Sequence, residues 1–490
     1  MKNYRLFTAS LVVGYLFCGP LMAEEVIVIE DESEAEEMII IDDEATVDDE
    51  VIVVDDGELS IGSDEEIITL ESDESIQDDM TMFSSSERET FSLGIEKAWL
   101  EYSALVEDSQ GVDSLSYGHV AVKAEWKPGN QWEGQLQARI DGYSQDGNPS
   151  WNDIDLDYGD NWIRYRGDNA RLTVGTQTII WGRIDEIPPS DRLSTIDGNR
   201  LNMDDLQDRR RSRPTLRAEF FGEGSKLDLI YMPTFREAEL ADVDSIWHPI
   251  DRVRQQVLGI ELPAAVAATI TPNTPIINSA PDSDDGVGLR FSSNYEGLEY
   301  ALTAQHGRQT LPYFSYSVVP TPTFTAQYPR TTAVGGDLAF ENEGITWRFE
   351  AVYLSDLPGT HSITGYTDDV EGANWAAGME FYPGDENIRV NLQIAGNHLF
   401  DADNLLDRDE IYNFNGSAEI PFAEEAWRAN IRFSVGLDKE DIYFNPEIAF
   451  VDWEPHEIYL EAHYYDGDEG TLGGFHEDHS LISAGWRASF

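Results

Sequence analysis

The chain has 490 residues and carries 94 acidic against 32 basic side chains, a formal charge of −62 at pH 7. Charge of that sign and size repels nucleic-acid phosphates and excludes a nucleic-acid partner. The single cysteine, Cys18, excludes a disulfide scaffold and a paired-cysteine metal site.

Residues 1–23 read as a secretory signal peptide. Lys2 and Arg5 form the basic start, residues 11–17 the apolar core, and Leu21-Met22-Ala23 the small-residue cleavage site. Phe17 stands where a lipoprotein signal needs a small residue, so cleavage removes Cys18 with the peptide. No later stretch offers about eighteen uninterrupted apolar residues. The nearest, residues 262–280, is broken by Pro263, Pro272 and Pro275.

Residues 24–87 form an acidic, low-complexity tail that holds −26 of the charge and no basic residue. Apolar tetrads such as Val26-Ile27-Val28-Ile29 and Val51-Ile52-Val53-Val54 recur between carboxylate pairs. Such units cannot build a core, and their charge predicts a disordered periplasmic tether. Two other readings stay open: the tetrads add as edge strands to a partner, or the carboxylates hold calcium loosely.

Residues 88–490 alternate apolar and polar side chains in some eighteen segments parted by turns such as Lys127-Pro128-Gly129-Asn130 and Tyr382-Pro383-Gly384-Asp385. Val120, Val122, Ala124 and Trp126 share one face while Lys123 and Glu125 take the other. Ile345, Trp347, Phe349, Ala351 and Tyr353 alternate with Thr346, Arg348 and Glu350. Trp and Tyr gather towards segment ends, as interfacial girdles require. The last segment runs Ile482, Ala484, Trp486, Ala488 and Phe490 on one face. It resembles the terminal strand read by the insertion machinery of the bacterial outer membrane. The fold class expected is all-β: a transmembrane antiparallel β-barrel of about 16–18 strands. Short turns are expected in the periplasm and long loops outside.

Residues 170–217 organise this barrel. Alternation from Ala170 to Trp181 predicts a strand, and Pro214 to Phe221 predicts its successor. Between them lies a zwitterionic stretch too long for a hairpin turn, expected to fold into the bore as a constriction. Its candidate residues are Arg183, Asp185, Asp191, Arg192, Arg200, Asp208, Arg209, Arg210, Arg211 and Arg213. Val174-Gly175-Thr176-Gln177, Trp181-Gly182, Asp185, Pro188-Pro189, Asp191, Asp197 and Asp208-Arg209-Arg210 resemble a motif of alginate-export-like porins. The resemblance spans about 45 residues, the overall length and the C-terminus, and it implies an outer-membrane conduit. Thr176 stands where such motifs usually carry Arg, so no role in polymer export transfers to that position.

Residues 234–284 and 311–330 are the longest connections, read either as mobile surface loops or as aromatic covers over the mouth. The polar faces of the wall supply Arg139, Arg164, Arg166, Arg171, Arg290, Arg348, Arg389, Arg428, Arg432 and Arg487. These arginines either pair with carboxylates such as Asp141, Glu350 and Glu380, or form a positive ladder that attracts anions. His398 and His463 read as girdle or lumen residues. His476-Glu477-Asp478-His479 reads as an exposed polar turn in preference to a metal site.

No catalytic constellation, cofactor or metal is expected. The function expected is an outer-membrane channel or export conduit for small hydrophilic solutes, anionic or amphipathic, with preferential anion conductance. The alternatives are an enzyme or adhesin on a barrel platform, or an energised receptor-like barrel whose acidic tail contacts a periplasmic partner. Outer-membrane lipid, the insertion machinery at the strand ending at Phe490 and a periplasmic transport partner at the tail are the partners considered. Solute, transport direction and oligomeric state are left open.

Overall fold

A computed structural model describes residues 91–490 apart from residues 110, 362–364 and 385–386. The expected signal peptide and acidic tail lie outside the described residues, as does Asp385 of one expected turn. The wall strands are β1 (Phe91–Ser109), β2 (Val112–Trp126), β3 (Trp132–Gly147), β4 (in two parts, Trp151–Tyr158 and Asn161–Arg166), β5 (Ala170–Gln177) and β6 (Arg213–Gly222). They continue as β7 (Ser225–Met232), β8 (Gly286–Tyr295), β9 (Leu298–Arg308), β10 (Arg330–Asn342), β11 (Ile345–His361) and β12 (Gly365–Phe381). The circuit ends with β13 (Arg389–Phe400), β14 (Glu410–Phe422), β15 (Trp427–Gly436), β16 (Asp441–Trp453), β17 (His456–Gly467) and β18 (Leu481–Ser489). Each pairs antiparallel with its neighbours in sequence. β1 meets β18 with Trp99 opposite Arg487, closing an 18-strand barrel.

The alternation explains the closure, because successive side chains of a strand point to opposite faces. On β11, Arg348 and Glu350 are buried inside while Phe349 and Tyr353 are exposed outside. Leu100, Leu136, Ile163, Leu302, Ile448 and Leu460 likewise face outward. Apart from one edge of Trp151–Tyr158, which no described strand covers, the closed wall leaves no row of unpaired backbone groups, and an apolar outer face suits hydrocarbon. Trp126, Trp132, Tyr295, Trp427 and Trp453 ring the outside near one end.

The two ends differ. Residues 127–131, 167–169, 223–224, 296–297, 343–344, 382–388, 423–426 and 454–455 make the connections at the end where β1 starts and β18 finishes. Residues 178–212, 233–285, 309–329 and 468–480 all lie at the other end.

One strand is shorter than its alternation suggests. The run from Ala170 to Trp181 leaves the wall after Gln177. The Thr178 N–H donates to Asp160 Oδ1 at 2.8 Å rather than to a neighbouring strand. Ile179 and Trp181 turn inward and bury against Leu193, Ile230 and Met232. Gly288 allows this, since a Cβ there would sit 2.8 Å from the Trp181 ring. Burial of two large apolar groups (about 1.5–3 kcal/mol for an aliphatic side chain) outweighs a few further ladder bonds.

Candidate channel lumen

Barrels of this strand number are too wide for wall side chains to fill, so the bore depends on what folds into it. Residues 178–212 do so and touch most of the inner circumference. Glu350 of β11 receives the N–H groups of Arg183, Ile184 (2.8 Å) and Ser190 (3.2 Å). Gln305 Nε2 of β9 donates to the Ser190 carbonyl at 2.9 Å. Trp181 Nε1 reaches Asp228 of β7. Across the bore, Arg432 of β15 donates to the Asn202 carbonyl (2.8 Å), the Met203 carbonyl (3.0 Å) and Asp205 Oδ1 (2.7 Å). The Tyr465 hydroxyl of β17 donates to Asn202 Oδ1 at 2.8 Å.

The loop is stiffened within itself. Thr195–Gly198 pairs antiparallel with Arg210–Arg211 and parallel with Glu239–Leu240, which belongs to residues 233–285. Residues 233–285 therefore enter the bore over their first half. Met203, Ala241 and Trp247 from the two loops pack with Tyr443, Tyr465 and Leu481 of the wall as a dry cluster. Residues 311–330, by contrast, hold a hairpin of Tyr313–Ser317 and Thr323–Gln327, extended by Ile276–Asn278.

Every expected wall arginine faces inward and meets a carboxylate. Arg139 pairs with Asp141, Arg164 and Arg166 with Glu133, Arg171 with Glu219, and Arg290 with Asp337. Arg348 and Arg389 share Glu380, Arg428 and Arg487 share Glu457, and Arg432 takes Asp205. The wall guanidiniums are thus held in a row of ion pairs. Among the described residues Glu350 has no arginine side chain within ion-pair distance, and its oxygens accept three loop N–H groups instead.

Among the expected loop residues, Arg183 binds Asp337 and Glu299, and Asp185 lies 3.9 and 3.8 Å from Arg348 and Arg389. Asp191 pairs with Arg210 at 2.7 Å, Arg211 with Asp197, and Asp208 with Lys97. Arg200 reaches Glu101 at 2.8 Å and lies 4.0 Å over the Tyr117 ring. Arg192, Arg209 and Arg213 differ. Among the described residues none of them has a carboxylate within ion-pair distance, and Arg213 Nη1 donates only to the Leu193 carbonyl. Burial lowers the Arg192 guanidinium to about 10. Burial also raises two loop carboxyls, Asp204 to about 6 and Glu239 to about 7, the latter aided by Asp197 and Asp157.

A cavity of about 740 Å³ opens at the short-turn end, between β1, β14–β18 and the loop residues Met203, Asp205 and Asp208. Its lining holds four cations, Lys97, Arg428, Arg432 and Arg487. Against them stand eight carboxylates, Asp205, Asp208, Glu419, Glu425, Glu447, Glu454, Glu457 and Glu461. This vestibule is acidic despite its arginines.

The histidines divide. His463 is buried in the lumen with its Nδ1 3.0 Å from the Tyr443 hydroxyl, and His398 is half-exposed beside Glu410. His476 and His479 are buried, not an exposed turn. Their Nδ1 atoms lie 2.8 Å apart and Trp247, Tyr465 and Phe475 surround them. Burial holds both imidazoles neutral, His479 down at about 3. Among the described residues no group of three potential metal ligands forms around them.

Asp337, Tyr443 and Arg236 were not singled out from the sequence, and Glu350 was read there only as a partner for a wall arginine. Glu350 and Asp337 sit on polar faces like many others, and nothing local marks the loop atoms they will meet.

The fold and the bore define a closed antiparallel β-barrel with an internal loop. No family model and no curated protein matches the chain. Solved structures do. Acinetobacter baumannii OccAB1 is similar over 81% of this chain and 96% of its own, at 9% identity and a TM-score of 0.48. Pseudomonas aeruginosa OpdL gives 82% and 98%, 11% identity and 0.45. Salmonella typhi OmpF in complex with daunomycin gives 82% and 97%, 11% identity and 0.39.

Proposed function

We propose that the chain is an outer-membrane channel or export conduit for small hydrophilic solutes, those with an anionic head or an amphipathic body above all. The observation that carries this is the bore itself: a closed wall, apolar outside and polar inside, narrowed by a loop of the same chain. Anchoring by Glu350 and Arg432 on opposite walls is what a fixed constriction requires. Orientation follows from the connections, with short turns in the periplasm and long loops outside. Lipid meets the apolar band, and the strand ending at Phe490 is the element offered to the insertion machinery.

The solute class rests on the unpaired loop arginines. Among the described residues Arg192, Arg209 and Arg213 are the loop arginines without a carboxylate in ion-pair distance and would receive a carboxylate or sulfate, while the wall arginines are spent on ion pairs. An export role for an acidic polymer leans on the motif at residues 174–210 and on nothing in the cavity, whose lining is acidic.

Conductance of the purified barrel in planar bilayers tests the reading. Stable openings are expected, with conductance rising when Arg209, Arg210 and Arg211 are replaced together by Ala. Bilayers that stay silent, from protein shown to be folded by heat-modifiable migration, would end it.

A further inference from the structure

The strand ladder of the wall is interrupted between β4 and β6. Below Gly159, the second part of β4 pairs with β5, Asn161 opposite Thr176. Above it, Trp151–Tyr158 pairs with β3, and among the described residues no strand covers its other edge. β5 would have to continue past Gln177 to do so, but there the chain turns into the bore. The exposed edge is treated as an edge. The Ile154 N–H donates to Asp153 Oδ1 and the Tyr158 N–H to Asp157 Oδ1, both at 2.8 Å. Carboxylates on an unpaired strand are a usual means of refusing another strand, which argues against a docked partner chain.

The opening has a sill and a bolt. Asp160 forms the sill, holding the Thr178 N–H and the Ser212 hydroxyl where β5 ends and β6 begins. Gly175 makes that junction possible at φ 140°, since a Cβ there would lie 2.1 Å from the Asn161 carbonyl. Arg236, from residues 233–285, crosses the gap. Its Nη2 donates to Asp157 Oδ2 at 2.6 Å and its Nη1 to the Ser212 carbonyl at 2.8 Å, with the guanidinium 4.5 Å over the Tyr158 ring. Backbone ladder bonds are thus replaced by one side chain that a rotamer change withdraws.

The two sides of the opening differ in chemistry. Outside, Ile154 and Leu156 are 77% and 72% exposed, and Ile180 is exposed where the chain turns inward. Inside stands Arg213, 3% exposed, with its Nε unpartnered, no carboxylate partner among the described residues, and Tyr158 and Arg236 as its charged or titratable neighbours. A buried cation without a counter-ion is costly unless a ligand supplies one.

We propose that the gap between β4 and β6 is a lateral window joining the bore to the leaflet at the long-loop end. It passes an amphipathic anion, an alkyl carboxylate or sulfate, whose head meets Arg213 and whose tail slides past Ile154, Leu156 and Ile180. Arg236 is the bolt. The inference rests on the channel reading and adds a second exit to it.

Two measurements test the window. A nitroxide attached at Ile180→Cys, in protein whose Cys18 has been removed with residues 1–23, reports its surroundings in liposomes. Faster relaxation by lipid-dissolved oxygen than by a water-soluble nickel chelate is expected; the reverse order overturns the window. Transfer of laurate into proteoliposomes is then compared with potassium chloride conductance of the same preparation. Arg236→Gln is expected to raise laurate transfer at least three-fold more than it raises conductance. Equal rises in both would route laurate through the axial bore and overturn the window while leaving the channel reading intact. Loss of conductance from folded unmodified protein would instead overturn the channel reading.

Discussion

Glu350 shows how much one side chain decides. Its carboxylate is buried inside β11 and meets three N–H groups of the loop, those of Arg183, Ile184 and Ser190. A carboxylate accepting several N–H bonds is a strong anchor because each bond is charge-assisted. Glu350→Ala would strand those donors at about 1–3 kcal/mol each, enough to loosen the Arg183–Ser190 stretch while Ile179, Trp181 and Leu193 stay packed against the wall. The expected outcome is a noisy channel with raised mean conductance in single-channel recordings, while the barrel keeps its heat-modifiable migration. Glu350→Gln retains one acceptor oxygen and should fall between the two. A quiet Glu350→Ala channel of unmodified conductance would show that the loop stands without this anchor.

At the scale of the element, residues 178–212 behave as a bridge pinned at both ends. The far pin is Arg432, buried, whose Nη2 serves the Asn202 and Met203 carbonyls and the Tyr443 hydroxyl. Its ion partner Asp205 is largely exposed, and Glu186, which also feels the guanidinium's charge, keeps Arg209 as a second cation. Arg432→Met should therefore leave the barrel stable, free the Asn202–Asp205 stretch, and widen the cavity beside it. Single-channel conductance is expected to rise, and adding Glu350→Ala should raise it by more than either change alone, because either pin by itself still restrains the loop. The sequence carried this element in outline. The charged stretch after Ala170, its length and the two strands around it are legible as an internal loop, because each follows from local pattern. What stayed hidden depends on distant contacts. Ile179 and Trp181 continue the alternation of β5, and only Ile230 and Met232 on β7 and Gly288 on β8 explain why they leave the wall. Inward arginines are likewise readable from period two, whereas their partners are not. Arg290 meets Asp337 across two strands, and Arg432 meets a loop residue 227 positions away. His476 and His479 looked like a polar turn because the cover over them, Trp247, comes from another loop.

Over the whole molecule, charge arrangement matters more than charge type. A count of inward arginines suggests an anion channel, but the cavity beside the loop holds eight carboxylates to four cations. That surplus acts on small inorganic ions in the vestibule, where cations should pass more readily than chloride, while an organic anion is selected by its contacts with Arg192, Arg209 and Arg213 in the loop. The preference should depend on pH. Asp204 and Glu239 lie in the two inward loops with carboxyls raised, chiefly by burial, to about 6 and about 7. Both are therefore charged at pH 8 and neutral at pH 5. Their folded values exceed the ordinary ones, so the folded loops bind protons more tightly than the unfolded chain. The stabilisation this provides is present at low pH and fades as pH rises through about 6 to 7. Two consequences can be measured together. Reversal potentials in a potassium chloride gradient should show cation preference at pH 8, shrinking by about two-fold in permeability ratio at pH 5. Open-channel noise should rise over the same interval as pH increases, because ionising Asp204 puts a charge in a buried site whose ion pair to Arg200, at 3.0 Å, is opposed by Asp208 and Glu101. Asp204→Asn with Glu239→Gln should flatten both curves near their pH 5 values. Anion preference at pH 8 would show instead that Arg192, Arg209 and Arg213 govern the field along the path that ions take.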